Sequence, residues 1–495
     1  MGKLIRALWH HAGLDGERLA LSDGRASMSR SGLAAWVTGA AADLGPGPEA
    51  IGIFGKNSVD WAVAFLAASV AGKTVVPIPT FFSREQRAHL VHDAGIQCIL
   101  VTDAESVSGH SLPLPVRTLP QRRENALPEQ AGDGGLIIYT SGSSGTPKGV
   151  RLASGQALWS AQALAEASGA TASDRYLSVL PLPLLLESIC GIITPVLLGG
   201  SVHYDGVVAE SVAAGTAYDI AGAFERARPT TSVLVPQLLA LYVAQLAGMG
   251  KRPPESLRFV AVGGAPLPHA LDLAATRLGI PAYQGYGLSE CASVVAVNRP
   301  GASREGTVGR LLPGLRVDIV DGEIVVEGPS VMDGYLHGDP APHRWRTGDM
   351  GSFDADGFLT VYGRRDNLIV TPYGRNVNPE WIETLLLGDP RIGTAVLCQT
   401  GDAPHLTVLL IPSPPAEGWF QTASQDEIGG LVAQLCQSAP DYARPKAAHA
   451  VSRAAAASEG LFTPNGRIKR AEAARYLHML SNTDKHNETL EGYKM

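Results

Sequence analysis

Along the chain, short unbroken apolar runs alternate with longer stretches in which apolar residues return every three or four positions. The runs at 50–54, 74–78 and 98–101 have the length and texture of strands buried on both faces. Between them, 58–71 and 84–94 carry helical spacing, the first with Trp61, Phe65 and Leu66 on one face and Asn57 or Ser58 as its N-cap. Strand–helix–strand alternation with short connections predicts a parallel sheet. Residues 104–134, with scattered prolines and polar residues, are expected to cross the surface. The run 136–139 is a strand leading into a glycine-rich loop. The alternation resumes over 155–290, with short buried strands expected at 178–180, 232–235 and 259–262. From 308 the texture changes. Residues 317–327 form a hairpin around the turn dipeptide Asp321-Gly322, and 358–362 continues an antiparallel, barrel-like segment. After the polar stretch 363–366 come a helix at 381–387, strands at 394–399 and 405–411, and a helix at 426–437.

The pattern predicts an α/β protein. A large N-terminal unit, 1–365, is built of parallel α/β sheets with a small β-barrel-like part. A small α+β unit, 366–480, and a polar tail, 481–495, follow. No internal repeat is present. Of the 495 residues, 45% are hydrophobic and 18% charged, which leaves ample material for a large core and excludes an intrinsically disordered chain. The net charge of −7 comes without a block of basic residues, so a nucleic-acid partner is not expected. A local phosphate site needs only backbone amides and a few cations, so an anionic substrate stays open.

The five cysteines, Cys98, Cys190, Cys291, Cys398 and Cys436, lie far apart and make no zinc or CxxC spacing; reduced, buried thiols in a cytoplasmic protein are expected. The N-terminus lacks the apolar segment of a signal peptide, and Arg6 speaks against myristoylation. The two long apolar stretches, 61–79 with Lys73 and 181–200 with Glu187 and three prolines, read as buried core rather than membrane spans, so an integral membrane protein is not expected. The thirteen histidines show no metal spacing, and no GxSxG elbow supports a serine triad.

The strongest chemical signal is the segment 139–150, YTSGSSGTPKGV. Gly142, Gly145 and Gly149 let the backbone approach an anion, successive amides form a nest, and the hydroxyls of Thr140, Ser141, Ser143 and Ser144 donate to phosphate oxygens while Lys148 adds a point charge. Gly142 and Lys148 have the wrong spacing for a Walker A loop, and the tempting Gly72-Lys73-Thr74 lacks its first glycine because Ala67 stands there.

This loop resembles the phosphate loop of the adenylate-forming superfamily, which includes acyl-CoA synthetases, adenylation domains of peptide synthetases and firefly luciferase. Further motifs in the expected order carry the resemblance from about 51 to 470. The segment 263–266, GGAP, resembles the border of the adenine site, which implies Gly264, Ala265 and Pro266 as nucleotide contacts. The segment 285–290, GYGLSE, resembles the motif whose aromatic, here Tyr286, stacks on adenine and whose acid, Glu290, helps hold Mg²⁺; Gly285, Gly287 and Ser289 belong to it. The segment 347–349, TGD, implies that Asp349 grips the ribose hydroxyls, a task suited to one carboxylate. The segment 363–366, GRRD, resembles the hinge, with Arg364 near the ribose and Asp366 as pivot.

The resemblance implies ATP-dependent attack of a carboxylate on the α-phosphate, giving an acyl-adenylate, then transfer to a thiol of coenzyme A or of an acyl carrier protein's phosphopantetheine. Such chemistry needs charge neutralisation and in-line positioning more than proton transfer. Residues 140–146, namely Thr140, Ser141, Gly142, Ser143, Ser144, Gly145 and Thr146, with Lys148, are the implied phosphate contacts, and Thr140 and Glu290 the implied Mg²⁺ contacts. Gly374 and Arg375 fall in the loop that lines the thiol-arm tunnel after the small unit rotates. The family's terminal glycine–lysine pair departs here: Arg467 stands where the lysine is expected, and Lys469 follows two positions later. A forked guanidinium is not equivalent to a compact ammonium. Arg467 is expected to take the role by bidentate contact, and a protein that binds adenylate without turnover is the alternative. The segment 180–191, LPLPLLLESICG, has no Asp to hold an amino group, so an amino acid is disfavoured and an apolar fatty or aryl acid expected.

Overall fold

The computed structural model describes residues 2–45, 49–103, 116–118, 132–140, 147–214, 216, 218–370, 375–399, 405–462 and 468–480. Two large sheets form the bulk of the chain. One runs in the order Arg310–Leu311, Ala296–Val297, Ala282–Tyr286, Phe259–Val262, Thr231–Leu234, Arg175–Ser178, Ser201–Tyr204, Leu19–Ser22 and Ser27–Ser29. It is parallel from Leu19–Ser22 through Ala282–Tyr286 and antiparallel at its edges. The other runs Gly334–Tyr335, Lys148–Leu152, Leu136–Thr140, Thr74–Pro77, Ala50–Phe54, Cys98–Val101 and Val116–Thr118. Its last five strands are parallel, and a hairpin closes its other side.

The largest apolar cluster draws on both sheets and on the helices Arg30–Leu44, Val59–Val70 and Ser154–Ser168, so the main core lies between the sheets. In Val59–Val70 every residue except Asp60 is buried, and Ser58 caps the helix by accepting the Trp61 N–H. A four-stranded antiparallel sheet, Arg316–Val320, Glu323–Glu327, Arg344–Phe353 and Leu359–Arg364, packs on 291–311 around its own core and supplies the barrel-like part. Its first hairpin turns at Asp321 and Gly322 with φ of 53° and 78°, the left-handed pair that a type I′ turn requires.

Residues from 369 onward have separate cores. There Ile392–Gln399, Leu406–Pro412 and Ala447–Ala450 form a sheet flanked by the helices Pro379–Leu386 and Gln425–Leu435.

Two details depart from the sequence reading. The strand expected at 178–180 is Arg175–Ser178. Pro181 and Pro183 cannot extend a ladder, and the buried Asn57 side chain takes over the freed backbone, donating to Leu180 O at 2.7 Å and accepting from Leu182 N at 2.8 Å. The surface crossing at 104–134 contains a strand, Val116–Thr118, and otherwise falls largely outside the described residues, as does the tail. Both long apolar stretches are core, and Lys73, 0% exposed, pairs with Glu49 at 3.1 Å. Among the described residues no helix is long and apolar enough to cross a membrane, and Cys190, Cys291, Cys398 and Cys436 are free thiols.

Candidate active site

Thr140 and Lys148 sit directly opposite each other in the register of the hairpin formed by Leu136–Thr140 and Lys148–Leu152. Ser141, Gly142, Ser143, Ser144, Gly145 and Thr146, which join these two strands in sequence, lie outside the described residues. The hairpin is fixed from behind: the Tyr139 hydroxyl donates to Asp93 Oδ2 at 2.7 Å, and His89 Nε2 bonds Pro147 O at 3.1 Å. Lys148 is exposed, with its Nζ 5.7 Å from the Tyr335 ring centre.

The strands Phe259–Val262 and Ala282–Tyr286 are parallel neighbours, so the 263–266 and 285–290 motifs emerge side by side at carboxyl ends, where open α/β sheets bind ligands. Gly264 adopts φ 84°, and a Cβ on Gly287 would stand 1.6 Å from Ser293 O, so both positions need glycine. Gly264, Ala265 and Pro266 are exposed. Glu290 lies in the tight turn Ser289–Cys291, whose exit is strained: Ala292 has φ 47° and Ser293 φ 89°. The turn is held by Ser160 Oγ donating to Ala292 O at 2.6 Å and by Met332 N donating to Glu290 O at 2.9 Å. The Glu290 carboxylate accepts the Tyr335 hydroxyl at 2.8 Å.

Asp349 stands on Arg344–Phe353, opposite Arg364 in register. Its Oδ2 accepts the Tyr286 hydroxyl at 2.6 Å, and Arg364 Nε lies 3.3 Å from Oδ1. Burial raises the Asp349 carboxyl above its usual range, against the Tyr286 bond and the Arg364 charge. Burial and the facing Asp349 likewise push the Tyr286 phenol far up, so it stays a donor. The Asp349 turn is braced by Thr347, whose hydroxyl donates to Ile324 O and accepts from Asp349 N, and by buried Glu323, which accepts Gly348 N at 2.9 Å. Glu323 also receives Arg346 and, at 2.8 Å, Arg365.

Asp366 is exposed in the turn Arg365–Asn367, where the small unit begins. Arg375 stacks 5.5 Å from the Tyr442 ring centre in that unit, and Gly374 and Arg467 fall outside the described residues. Lys469 is exposed and makes no hydrogen bond or ion pair through its side chain among the described residues. Thr140, Lys148, Tyr286, Glu290, Asp349 and Arg364 thus converge, whereas Arg375 and Lys469 belong to the small unit.

A cavity of about 300 Å³ runs inward from Gly263, Gly264, Gly285, Tyr286, Gly287 and Ser289. Its walls are mostly apolar, with Leu180, Leu184, Leu185 and Leu186 from the segment singled out in sequence and Val233, Phe259 and Val294 from elsewhere. Next to this wall the wholly buried Glu187 carboxyl, bonded by the Tyr176 hydroxyl at 2.9 Å, is pushed by burial up to about 8, against the Tyr176 bond. Glu290 and Thr140 offer oxygen donors, the type Mg²⁺ takes beside substrate phosphates. Tyr335 and Glu323 escaped the sequence reading, and Thr347 entered it only as part of the TGD segment without a role, because their roles rest on pairings between distant segments.

Residues 8–336 match the family described as AMP-binding enzyme. The chain belongs to that family. This AMP-binding enzyme is 30% identical over 378 residues to a 2-succinylbenzoate–CoA ligase of Geobacillus sp. (strain WCH70), covering 70% of this chain and 73% of the relative. Its fold is similar to that of the anthranilate CoA ligase AuaEII in complex with anthranoyl-AMP, with TM-score 0.82, 21% identity and coverage of 97% of this chain and 98% of the other. It is also similar to Bacillus subtilis o-succinylbenzoate coenzyme A synthetase (MenE) in complex with ATP and a magnesium ion, with TM-score 0.75, 24% identity and coverage of 94% and 98%. The expected two-part adenylate-forming fold holds, as does the reading of an ATP-dependent ligase that releases AMP and pyrophosphate.

Proposed function

We propose that this AMP-binding enzyme joins an apolar aryl or aliphatic acid to the thiol of coenzyme A through an acyl-adenylate. A carboxylate oxygen attacks the α-phosphorus of ATP, the bond to pyrophosphate breaks, and a mixed anhydride forms. The thiol, giving up its proton, then attacks the acyl carbon and AMP leaves. The observation that carries this reading is a cavity with nucleotide-type glycines at its mouth and a leucine-lined interior. It suits an apolar acid whose carboxylate points back toward the nucleotide.

In this reading residues 140–146 and Lys148 receive the phosphates, Tyr286 faces adenine, Asp349 takes the ribose hydroxyls with Arg364 beside it, and Thr140 and Glu290 hold the metal. Mg²⁺, when bound, neutralises phosphate charge. Residues 1–365 carry the nucleotide site. Residues 366–480 pivot at Asp366, bringing Arg467 to the adenylation step or Gly374 and Arg375 to the thiol arm. The CoA-ligase names of the relatives favour coenzyme A over a carrier protein, and the free thiols of Cys190, Cys291, Cys398 and Cys436 support a reducing, cytoplasmic setting.

The test is ATP–pyrophosphate exchange with 2-succinylbenzoate, anthranilate, indoleacetate and octanoate, followed by intact-mass detection of acyl-CoA and acyl-carrier products. Acid-dependent exchange and an acyl-CoA product are expected. ATP binding with no exchange for any acid would favour the second reading, an adenylate-binding protein, whose support is the arginine at position 467.

A further inference from the structure

Between Lys148 and Glu290 stands Tyr335, with a different face turned to each. The Lys148 ammonium is 5.7 Å from its ring centre, within cation–π range, and its hydroxyl donates to Glu290 Oε1 at 2.8 Å. The ring is locked from several sides. Tyr335 pairs with Val150 on the phosphate hairpin, and Leu336 N donates to Gly149 O at 2.8 Å. Trp345, on the strand that carries Asp349, meets the ring edge-on with centres 6.1 Å apart. Gly334 must be glycine: it has φ 137°, and a Cβ there would lie 2.7 Å from Asp339 O.

The 331–337 segment is a strap across the site. Gln156 donates to Val331 O at 2.9 Å and to Asp333 at 2.8 Å, Met332 N donates to Glu290 O, and His337 meets Asp93, the residue that also anchors Tyr139. One short segment thereby ties the phosphate hairpin to the Glu290 turn.

We propose that Tyr335 is a positioning residue that holds Glu290 by its hydroxyl and Lys148 by its ring, keeping the two charges from pairing with each other. The proposal rests on the reading of Glu290 as the metal acid and Lys148 as the phosphate cation. A direct Lys148–Glu290 ion pair would withdraw the ammonium from the triphosphate and a carboxylate oxygen from the metal. The phenol is a neutral donor that orients one carboxylate oxygen and leaves the other for coordination. The ring face attracts the ammonium without consuming its donors.

The test compares Tyr335→Phe, Tyr335→Leu, Glu290→Gln and wild type. Mn²⁺ affinity is measured by electron paramagnetic resonance in the presence of α,β-methylene-ATP, and analogue affinity without metal by fluorescence. Tyr335→Phe keeps the spacer and loses the hydroxyl bond. Mn²⁺ affinity should fall about tenfold, the scale of one hydrogen bond to a charged group, with metal-free analogue affinity unchanged. Tyr335→Leu should weaken both, because Lys148 is then free to pair with Glu290. Unaltered Mn²⁺ affinity in Tyr335→Phe, while Glu290→Gln lowers it, overturns the proposal alone. Unaltered affinity in Glu290→Gln overturns the metal assignment beneath it.

Discussion

Replacing Glu323 with Gln tests how the ribose turn is held. Glu323 is 1% exposed and accepts the Gly348 N–H and two arginines, Arg346 and Arg365. Burial alone would raise its carboxyl, but the Gly348 bond and then Arg346 and Arg365 outweigh that and hold it below the usual carboxylate range. The glutamine keeps the shape but loses the charge and turns an N–H toward the arginines. Both guanidiniums are about half exposed, at 50% and 51%, so each pair contributes only ~0.5 kcal/mol after solvent screening. Weakening a charge-assisted bond to a buried N–H adds roughly 1 kcal/mol. The sum is about 2 kcal/mol, or roughly 3 °C in Tm for a unit of this size, given an unfolding entropy of about 2.1 cal/mol/K per residue.

A carboxyl with a depressed folded pKa contributes stability above its unfolded value, near 4.5, and loses it as pH falls through the lower folded value. The Tm gap between wild type and Glu323→Gln should therefore be full at pH 7 and shrink as pH drops below about 4.5. Scanning fluorimetry from pH 7.5 to about 3 measures it, alongside the KM for ATP, which should rise severalfold as the Gly348 turn relaxes. A gap that is absent at pH 7.5, or constant across the range, refutes the reasoning.

Tyr286→Phe keeps the adenine-facing ring but removes the donor that opposes the burial-raised Asp349 carboxyl. KM for ATP should rise about tenfold and the acid limb of pyrophosphate exchange move to higher pH; superimposable pH profiles would rule this out. Glu187, raised to about 8 by burial, holds its proton in the folded state when the unfolded chain has lost it, so wild-type stability should fall between about pH 4.5 and 8. Glu187→Gln should flatten that fall, and parallel Tm curves for the two proteins would contradict it. Arg467→Ala should suppress pyrophosphate exchange at least tenfold while Lys469→Ala stays within twofold, about the cost of losing one bidentate charged contact. Loss only in the Lys469 variant would move the role to that residue.

The strands at 259–262 and 98–101 and the Asp321-Gly322 hairpin were legible because local signals decide them: unbroken apolar runs for buried parallel strands, a turn dipeptide for the hairpin. The misplaced strand at 175–178 shows the limit. Val179 and Leu180 carry the right apolar texture, yet Asn57, more than a hundred residues earlier, bonds Leu180 O and Leu182 N and ends the ladder. In the same way Lys148, Tyr286, Glu290 and Asp349 were named from motifs, but Tyr335 and Glu323 were not. A tyrosine after a glycine, or a glutamate opening a strand, carries no local mark. Each acquires meaning only when the sheets bring residues tens of positions apart into contact.

The convergent residues share an electrostatic design. Lys148 meets an aromatic face, Glu290 a phenol, and Asp349 a second phenol with one arginine at its edge. Neutral donors and ring faces, more than counter-ions, set these groups in place, so their charges are not spent on each other. A triphosphate and its metal would then complete the charge balance without first breaking a salt bridge between Lys148 and Glu290. Donors and charges fixed in advance cost little reorganisation when charge shifts toward the departing pyrophosphate. This explains why the supporting residues are tyrosines: they orient a carboxylate or a cation at modest energetic cost while leaving its charge available.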